Sequence, residues 1–243
     1  MININNMIFL FDIDGTLTVP RGKITTEMLT FLCELRKNHT ICTVGGSDFE
    51  KAKEQIGEDM LERFDYIFPE NGLVFYKHGE LVHKKSLTDY VSQEQLDQFI
   101  SFCLDYIDKL DIPVKTSNFV EVRTGIINVS PIGRSCSREQ RDAYEIYDKE
   151  NNIRENLINT LKQRFSNIGF QYSVGGQISF DVFPNGLNKT FCLEYLPKDT
   201  TIHFFGDKTH LGGNDYEIFN DSRVIGHTVT SPEDTYSQIK KIL

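Results

Sequence analysis

The sequence lacks the patterns that mark several large classes of protein. Its five cysteines form no CxxC pair and are odd in number, which predicts reduced thiols in a cytoplasmic protein. The six histidines form no HExxH motif, so zinc hydrolysis is not indicated. No apolar stretch approaches the roughly 20 residues that span a bilayer, and the first residues lack the basic start of a signal peptide. We therefore expect no membrane partner and no signal peptide.

Positive charge is also scarce. The chain has 26 Lys and Arg against 35 Asp and Glu, a net charge of −9, so we expect no nucleic-acid partner. Its 243 residues are 39% hydrophobic and include 18 Phe, which is enough for one large domain or two small ones.

The first part of the chain alternates the signals of strands and helices. Apolar or β-branched runs predict strands at 7–12, 40–44 and 65–68, and amphipathic segments predict helices at 25–36 and 49–56. This βαβαβ order predicts a doubly wound, mostly parallel α/β sheet of Rossmann-like type. Ligands bind such sheets at the carboxyl ends of the strands.

The pattern changes in the middle of the chain and then returns. A long amphipathic helix at 92–110, hairpins at 119–130 and 170–183, and helices within 137–165 predict an α+β unit with an antiparallel sheet. After Gly186, the helix, strand and helix signals of the first part resume. We therefore predict an α/β core formed by 1–85 and 185–243, with an inserted α+β cap domain at 86–184.

Two acids stand at the end of the first predicted strand, in Phe11-Asp12-Ile13-Asp14-Gly15-Thr16. Strand side chains alternate faces with period two, so Asp12 and Asp14 are expected to point the same way. Two close carboxylates repel each other unless a metal ion or a shared proton compensates them. The pattern favours an aspartate nucleophile with an acid/base partner beside a divalent cation over an acidic cluster that merely ends a strand at the surface.

Three more polar sites follow core elements. Main-chain N–H groups at Gly45-Gly46-Ser47, with the Ser47 hydroxyl, can bind phosphate oxygens at a helix start. Lys189 can neutralise a phosphoryl group, and Asp12 with Asp207 offers the oxygen ligands that Mg²⁺ prefers. Each signal is weak alone, because Gly-rich turns and exposed lysines are common. Their order along one predicted parallel sheet indicates phosphoryl transfer.

The predicted cap carries an unusual group of arginines for an acidic protein. Arg123, Arg134, Arg138 and Arg141 fall within a short segment, where Arg138 is best explained as a solvated residue. The planar guanidinium fork suits phosphate binding, so the other three are candidates to hold a phosphate. Ser179 and Asp181 alternate along a predicted strand and could bind sugar hydroxyls, or could simply face water.

The DxDGT motif, the serine-type loop, the lysine and the acidic GD…ND pattern resemble the haloacid dehalogenase-like phosphotransferases. Longer stretches across nearly the whole chain resemble the eukaryotic-type phosphomannomutases within that superfamily. These stretches are FDIDGTLTVPRGKI, VGGSDFEKAKEQIG, FPENGLVFYKHG, NVSPIGRSCSREQRDAYEIYDKE, GGQISFDVFPNG and FFGDKTHLGGNDYEIFND.

The resemblance implies a role for each matching residue. It makes Asp12 the nucleophile and Asp14 the general acid/base, with the Asp14 carbonyl also on the metal that Asp207 completes. It implies a second cation site at Phe219, Asp221 and Val224, where threonine is usual at position 224. The residues implied to hold the sugar phosphate are Arg21, Arg123, Arg134, Arg141, Ser179 and Asp181.

The implied activity is the Mg²⁺-dependent interconversion of mannose 6-phosphate and mannose 1-phosphate, primed by a hexose 1,6-bisphosphate as activator. The product would supply GDP-mannose for glycosylation, and the resemblance implies a homodimer through the caps. The apolar face of 92–110 fits either that dimer or burial within one chain. The sequence does not separate mannose from glucose.

Two rival functions use the same residues. A sugar-phosphate phosphatase of the same superfamily would also need Asp12 and Asp14, but it would not need a second phosphate pocket, so the arginines favour the mutase. A catalytically idle sugar-phosphate-binding module is disfavoured because Asp12, Asp14, Lys189 and Asp207 are all present. An EF-hand-like calcium loop is excluded because the apolar Leu17 and Val19 occupy positions that should carry ligands.

Overall fold

The computed structural model describes residues 7–174 and 176–243, and in it the chain folds as two units. Unit 1 takes the described residues up to Lys85 and those from Gly186 onward, and unit 2 takes Ser86–Asn185. The sequence predicted core segments at 1–85 and 185–243 and an inserted cap at 86–184.

Eleven strands and eight α-helices are found in the described residues. The strands are β1 (Ile8–Phe11), β2 (Thr40–Val44), β3 (Tyr66–Phe68), β4 (Val74–Lys77), β5 (Glu80–Lys84), β6 (Val120–Val122), β7 (Ile127–Val129), β8 (Phe170–Ser173), β9 (Phe180–Pro184), β10 (Ile202–Gly206) and β11 (Ile225–Thr228). The helices are α1 (Thr26–Arg36), α2 (Phe49–Ile56), α3 (Met60–Arg63), α4 (Gln93–Lys109), α5 (Arg138–Asn151), α6 (Ile153–Arg164), α7 (Tyr216–Phe219) and α8 (Pro232–Ile242). None of the helices in the described part of the chain is both long enough and apolar enough to cross a membrane.

Unit 1 is built on a seven-stranded sheet in the order β11-β10-β1-β2-β3-β4-β5. The first five of these strands are parallel, and β4 and β5 add an antiparallel edge. Side chains of β1 alternate between two apolar clusters, with Phe9 and Phe11 in one and Ile8 and Leu10 in the other. Because both faces of the strand are buried, its sequence is continuously apolar rather than alternating. The predicted mostly parallel α/β core is confirmed.

Side chains at the starts of the first two helices set their limits. Thr25 accepts a hydrogen bond from the N–H of Met28 at 3.2 Å, and Asp48 accepts one from that of Lys51 at 2.9 Å. Each contact satisfies one of the N–H groups that a first turn leaves without a partner. The helix predicted at 49–56 therefore has the predicted bounds, with Asp48 as its cap.

Unit 2 has a four-stranded antiparallel sheet in the order β6-β7-β9-β8, as predicted for the cap. The turn of the hairpin predicted at 170–183 lies partly outside the described residues. Helix α4 buries Leu96, Phe99, Cys103 and Ile107 against this sheet and α6. The apolar face of the 92–110 segment is thus used inside the unit's own core, whereas Leu104 at its margin is exposed.

Two elements differ from expectation. Where a helix was predicted soon after Gly186, the chain forms consecutive 3₁₀ turns over Lys189–Tyr195. Residues three apart eclipse each other in such turns, which puts Lys189 and Cys192 on one buried face. Strand β11 was not predicted, because only Ile225 in Ile-Gly-His-Thr is a strong apolar residue.

Candidate active site

Three carboxylates meet at the carboxyl ends of β1 and β10. Asp12 follows β1, Asp207 follows β10, and Asp215 immediately precedes α7. One carboxylate oxygen of each lies within 4.8 Å of one from both others. Strands β1 and β10 are parallel neighbours with Phe11 opposite Phe205, so the residue after each strand lies at the same edge of the sheet.

Glycine is required where this cluster approaches the main chain. Gly15 has φ +79°, and a Cβ built there would lie 2.6 Å from Oδ2 of Asp207. A Cβ on Gly206 would lie 2.6 Å from Oδ2 of Asp215. Any side chain at either position would displace a carboxylate of the cluster.

Lys189 bridges two of the three acids. Its Nζ donates to Oδ1 of Asp12 at 2.5 Å and to Oδ1 of Asp215 at 2.6 Å, and the lysine side chain is 1% exposed. Asp215 also accepts a hydrogen bond from the main-chain N–H of Lys208 at 3.0 Å. Buried ions persist only when they are paired and hydrogen-bonded, which explains why the lysine lies between two acids.

The cluster shifts the titration of its own groups. Burial, which the Lys189 ammonium only partly offsets, raises the pKa of Asp12 well above its ordinary value, and the charges of Asp215 and Asp207 raise it further. Burial also raises the pKa of Asp207. Burial works against the charge of Lys189, yet Asp12 and Asp215 hold the lysine pKa above its ordinary value. The positive charge of Lys189 thus does not fully compensate the negative charges of the acids, and the lysine stays protonated.

The donor set fits a hard divalent cation. Asp12, Asp207 and Asp215 supply carboxylate oxygens, and Mg²⁺ binds through oxygen ligands. The buried Oδ1 of Asn214, the residue before Asp215, accepts no hydrogen bond from any described residue. A divalent cation would reduce the repulsion among the three carboxylates.

Asp14, predicted as the acid/base partner, is held by a different set of contacts. Its Oδ1 accepts hydrogen bonds from the main-chain N–H of Arg21 at 2.7 Å and from the amide of Gln55 at 2.8 Å. The amide of Gln55 also reaches Oγ1 of Thr18 at 3.3 Å, and its main-chain carbonyl accepts from Ile24 at 2.8 Å. The last turn of α2 therefore holds both Asp14 and the loop that carries Arg21.

Ser47 lies in the loop between β2 and α2, immediately before the helix cap. Its carbonyl accepts a hydrogen bond from the N–H of Glu70 at 3.0 Å, and that of Gly45 accepts from Asn71 at 2.8 Å. These contacts fix the loop at the carboxyl end of β2, the strand beside β1. Its position suits phosphate binding, and the role of Ser47 in it stays a prediction.

In unit 2 the predicted sugar-phosphate residues share one network of contacts. Glu121 binds Nε of Arg123 at 2.7 Å and Nε of Arg134 at 2.8 Å. The Arg141 guanidinium donates to the Arg134 carbonyl at 2.7 Å, and burial lowers the pKa of Arg141. Arg138, in contrast, is exposed at the start of α5. The structure thus brings together the three arginines that the sequence singled out.

Ser179 and Asp181 join that network through Asn128. The Asn128 amide donates to Oγ of Ser179 at 3.1 Å and to Oδ1 of Asp181 at 2.7 Å, and its carbonyl oxygen contacts Arg134. All three of Asn128, Ser179 and Asp181 are buried. They lie on one side of the sheet, as the alternation predicted.

In the turn predicted to bind a second cation, the Asp221 carboxylate is paired with Arg223. Asp221 accepts from the N–H of Arg223 at 2.9 Å and from its guanidinium at 2.9 and 2.8 Å. These bonds lower the pKa of Asp221. Phe219 ends α7 and Val224 precedes β11, so the three residues do lie in one turn. A cation there stays a prediction.

The sequence grouped Asp215 with Asp207 in the GD…ND pattern but gave it no ligand role, and it did not bring Gln55 or Asn128 into the site. Asp215 belongs to the GD…ND pattern, and that motif is the signal that could have placed it in the cluster. Gln55 and Asn128 carried no local signal, since a Gln late in a helix and an Asn in a strand are both common.

Comparisons with known proteins agree with the resemblance in the motifs. The family model described as eukaryotic phosphomannomutase matches residues 28–243. A phosphomannomutase of Triticum aestivum is 54% identical over 233 residues, which cover 96% of this chain and 94% of that protein. One from Glycine max is 53% identical over 236 residues, covering 97% of this chain and 96% of that protein.

Solved structures of low identity share the fold. A haloacid dehalogenase-like hydrolase from Bacteroides thetaiotaomicron has a TM-score of 0.61 at 13% identity, covering 98% of this chain and 100% of that one. A trehalose-6-phosphate phosphatase related protein has a TM-score of 0.60 at 12% identity, covering 97% of this chain and 96% of that one. The fold is thus haloacid dehalogenase-like.

Proposed function

This chain belongs to the eukaryotic phosphomannomutase family, and we propose that it interconverts mannose 6-phosphate and mannose 1-phosphate through an aspartyl-phosphate intermediate on Asp12. As a phosphomannomutase it is an isomerase, and its substrates are sugar phosphates. The observation that carries the mechanism is the buried contact of Lys189 with Asp12, among the carboxylates of Asp207 and Asp215.

Asp12 is suited to attack phosphorus. Lys189 holds one of its carboxylate oxygens, which fixes the orientation of the other. In the first half-reaction, an oxygen of Asp12 forms a bond to the phosphorus of a hexose 1,6-bisphosphate while the bond from phosphorus to the sugar oxygen breaks. In the second, the hydroxyl of a bound monophosphate attacks the same phosphorus and Asp12 leaves. The covalent intermediate divides one difficult transfer into two symmetric ones.

Asp14 moves the proton in both half-reactions. Its carboxyl gives a proton to the sugar oxygen that leaves phosphorus, and its carboxylate later takes one from the attacking hydroxyl. The contacts with the Gln55 amide and the Arg21 N–H support this role, because they fix the orientation of the Asp14 side chain. A proton carrier must lie within hydrogen-bond distance of the reacting oxygen, so this orientation matters.

The residues proposed to hold Mg²⁺ are Asp12, Asp207 and Asp215, with the carbonyl of Asp14. When bound, the ion would reduce the repulsion between the Asp12 carboxylate and an incoming phosphate dianion.

Unit 2 is proposed to hold the phosphate that is not transferred. Arginines suit this task because their planar guanidinium groups pair with phosphate oxygens. The proposed residues of unit 2 are Arg123, Arg134, Arg141, Ser179 and Asp181, and a role for Arg21 stays a prediction. The mutase must accept the sugar in two orientations, so the same residues would bind a phosphate at C1 or at C6. A homodimer through unit 2 and supply of mannose 1-phosphate for GDP-mannose synthesis stay predictions.

The function is tested by supplying mannose 1-phosphate and Mg²⁺ with and without a hexose 1,6-bisphosphate. We expect mannose 6-phosphate to form, faster with the bisphosphate, and little free phosphate to appear. Asp12→Asn, which cannot form the acyl phosphate, should abolish the conversion, whereas Glu27→Gln in the exposed first turn of α1 should leave it unchanged.

The rival phosphatase predicts the opposite products. Release of free phosphate without mannose 6-phosphate would overturn the mutase. Conversion that persists in Asp12→Asn would overturn the aspartyl-phosphate mechanism while leaving the overall reaction in place.

A further inference from the structure

Asn128 is an amide in the middle of an apolar strand. It lies at the centre of β7, between Ile127 and Val129, and all three residues are buried. Strand β7 is an inner strand of the unit 2 sheet, with β6 on one side and β9 on the other. A buried amide costs free energy unless its hydrogen-bonding groups have partners, so its partners explain its presence.

Each partner of Asn128 is a residue proposed to hold the sugar phosphate. Its Nδ2 donates to Oδ1 of Asp181 at 2.7 Å and to Oγ of Ser179 at 3.1 Å, and its Oδ1 accepts from Nη1 of Arg134. The chemistry of these partners allows one orientation of the amide, since a carboxylate can only accept and a guanidinium can only donate.

The network continues beyond Arg134. Nε of Arg134 binds Oε2 of Glu121 at 2.8 Å, and Oε1 of the same glutamate binds Nε of Arg123 at 2.7 Å. A continuous series of contacts therefore runs from Arg123 through Glu121, Arg134 and Asn128 to Asp181. Asn128 links Arg134, on the arginine side of this series, to Ser179 and Asp181.

We propose that Asn128 is a positioning residue that sets the spacing between the arginines that bind the idle phosphate and the pair Ser179 and Asp181 that binds the sugar hydroxyls. The inference rests on the proposed function. Asn128 itself does not contact substrate in this proposal. It fixes the Arg134 guanidinium and the Asp181 carboxylate relative to each other, so that one rigid sugar phosphate can engage both.

The expected effect follows from how binding depends on geometry. Ser179 immediately precedes β9 and Asp181 lies within it, whereas Arg134 lies in the loop after β7. Without the amide, Arg134, Ser179 and Asp181 each lose one partner, and their positions relative to one another are less tightly fixed. A ligand that must touch both ends would then have to restore their order when it binds, which weakens its affinity.

Ser130, the residue that follows β7, provides a matched control. It lies two residues from Asn128 and is also buried, and its hydroxyl donates to the main-chain carbonyl of Ile178 at 3.1 Å. Ser130→Ala removes a buried side-chain hydrogen bond to the neighbouring chain segment without touching Arg134, Ser179 or Asp181. It reports the effect of a structural loss alone.

The test compares Asn128→Ala, Asn128→Ser and Ser130→Ala in the full chain, with KM and kcat for mannose 1-phosphate and the melting temperature of each. We expect both Asn128 variants to raise KM about tenfold or more, since each loses a hydrogen bond to a charged group, while kcat changes less. Ser130→Ala should lower the melting temperature and leave KM within about twofold of the wild type. Asn128→Ser keeps a small polar group, so it remains measurable if Asn128→Ala does not fold.

The outcomes separate this inference from the function it rests on. If the wild type isomerises mannose 1-phosphate but the Asn128 variants keep its KM, or lose only kcat as a partly unfolded enzyme would, the positioning role is overturned and the mutase stands. If the wild type neither binds mannose 1-phosphate nor isomerises it, both are overturned.

Discussion

At the scale of single residues, Lys189 is a buried charge of unit 1 that is held between two acids. Lys189 is 1% exposed and binds Asp12 and Asp215, whereas Lys208 is 44% exposed and contacts Asp207 at 3.2 Å. Both lysines neutralise an acid of the same cluster. They differ in solvent exposure, because water also screens the charge of Lys208 but does not reach that of Lys189.

Replacing Lys189 should therefore cost far more stability than replacing Lys208. Lys189→Met leaves two buried carboxylates without their cation, and we expect a loss of about 3–5 kcal/mol in the free energy of unfolding. Lys208→Met should cost less than about 1 kcal/mol, because exposed ion pairs contribute little. Urea unfolding of both variants measures the difference. Mg²⁺ should restore part of the stability of Lys189→Met, and equal losses in the two variants would contradict the buried role.

Gly15 is the second residue whose replacement has a defined consequence. Gly15→Ala forces a positive φ on alanine and brings Cβ against Asp207, whereas Gly186→Ala meets the same conformational demand, at φ +81°, with open space around it. The two variants therefore share the backbone strain of about 1–2 kcal/mol.

Only Gly15→Ala should also weaken Mg²⁺ binding, because only it displaces a carboxylate of the cluster. Activity measured against Mg²⁺ concentration should show a higher half-saturating concentration for Gly15→Ala and an unchanged one for Gly186→Ala. The same rise in both variants would indicate that backbone strain, rather than the contact with Asp207, controls the site.

At the scale of elements, helix α8 supports the loop that follows β1 and carries Asp12 and Asp14. Thr235 of α8 is fully buried, and its hydroxyl donates to the main-chain carbonyl of Thr16 at 2.8 Å. Since Thr16 follows directly after Asp14 and Gly15, α8 fixes the turn after β1 as well as burying apolar surface.

Thr235→Val keeps the shape of the side chain but leaves the Thr16 carbonyl without this donor. We expect a loss of about 1–3 kcal/mol in the free energy of unfolding and a lower kcat, because a buried acceptor loses its partner beside the acids. Ser237→Ala is the control on the same helix, since its exposed hydroxyl bonds only to the Glu233 carbonyl. Thermal melting and the mutase assay, applied to both variants, measure these losses of stability and of kcat. A Thr235→Val enzyme indistinguishable from Ser237→Ala would contradict the role of α8.

At the scale of the whole molecule, three of the six histidines lie close together around β1 and β10. Nδ1 of His203 and Nε2 of His227 are 2.9 Å apart, and the His203 ring stacks on Phe9 with centroids 5.5 Å apart. Burial lowers the pKa of His203, and the charges of His227 and His39 lower it further. Burial also lowers the pKa of His227 and of His39. The fold therefore favours the neutral rings.

Stability should consequently fall in mild acid. Between the lowered folded pKa values and the ordinary value of about 6.5, the unfolded chain binds more protons than the folded one, so the free energy of unfolding decreases as pH falls. The contribution is complete above about pH 7 and is lost as pH falls through the folded pKa values.

Urea midpoints at about pH 7.5 and 5.5 measure this loss. His203→Gln should reduce the difference between the two midpoints, and His210→Gln, at an exposed site, should not. An undiminished difference in His203→Gln would assign the acid sensitivity to other groups.

The sequence by itself determined the parts of the molecule that depend on neighbouring residues. An apolar, β-branched run predicted the strand at 40–44, and the amphipathic pattern predicted α2 at 49–56, because neighbouring side chains and local hydrogen bonds decide those features. The acids after β1 were visible for the same reason. The long motif matches then predicted the family, which the comparisons confirm.

Only the tertiary structure decided which distant residues meet. Lys189 lies 177 residues after Asp12, and its place between Asp12 and Asp215 depends on how β1, β10 and the 3₁₀ turns pack. Gln55 and Asn128 entered the site in the same way, since their partners come from other elements. Such contacts leave no periodic pattern in the sequence, because the free energy that selects them comes from burial and pairing of groups that folding brings together.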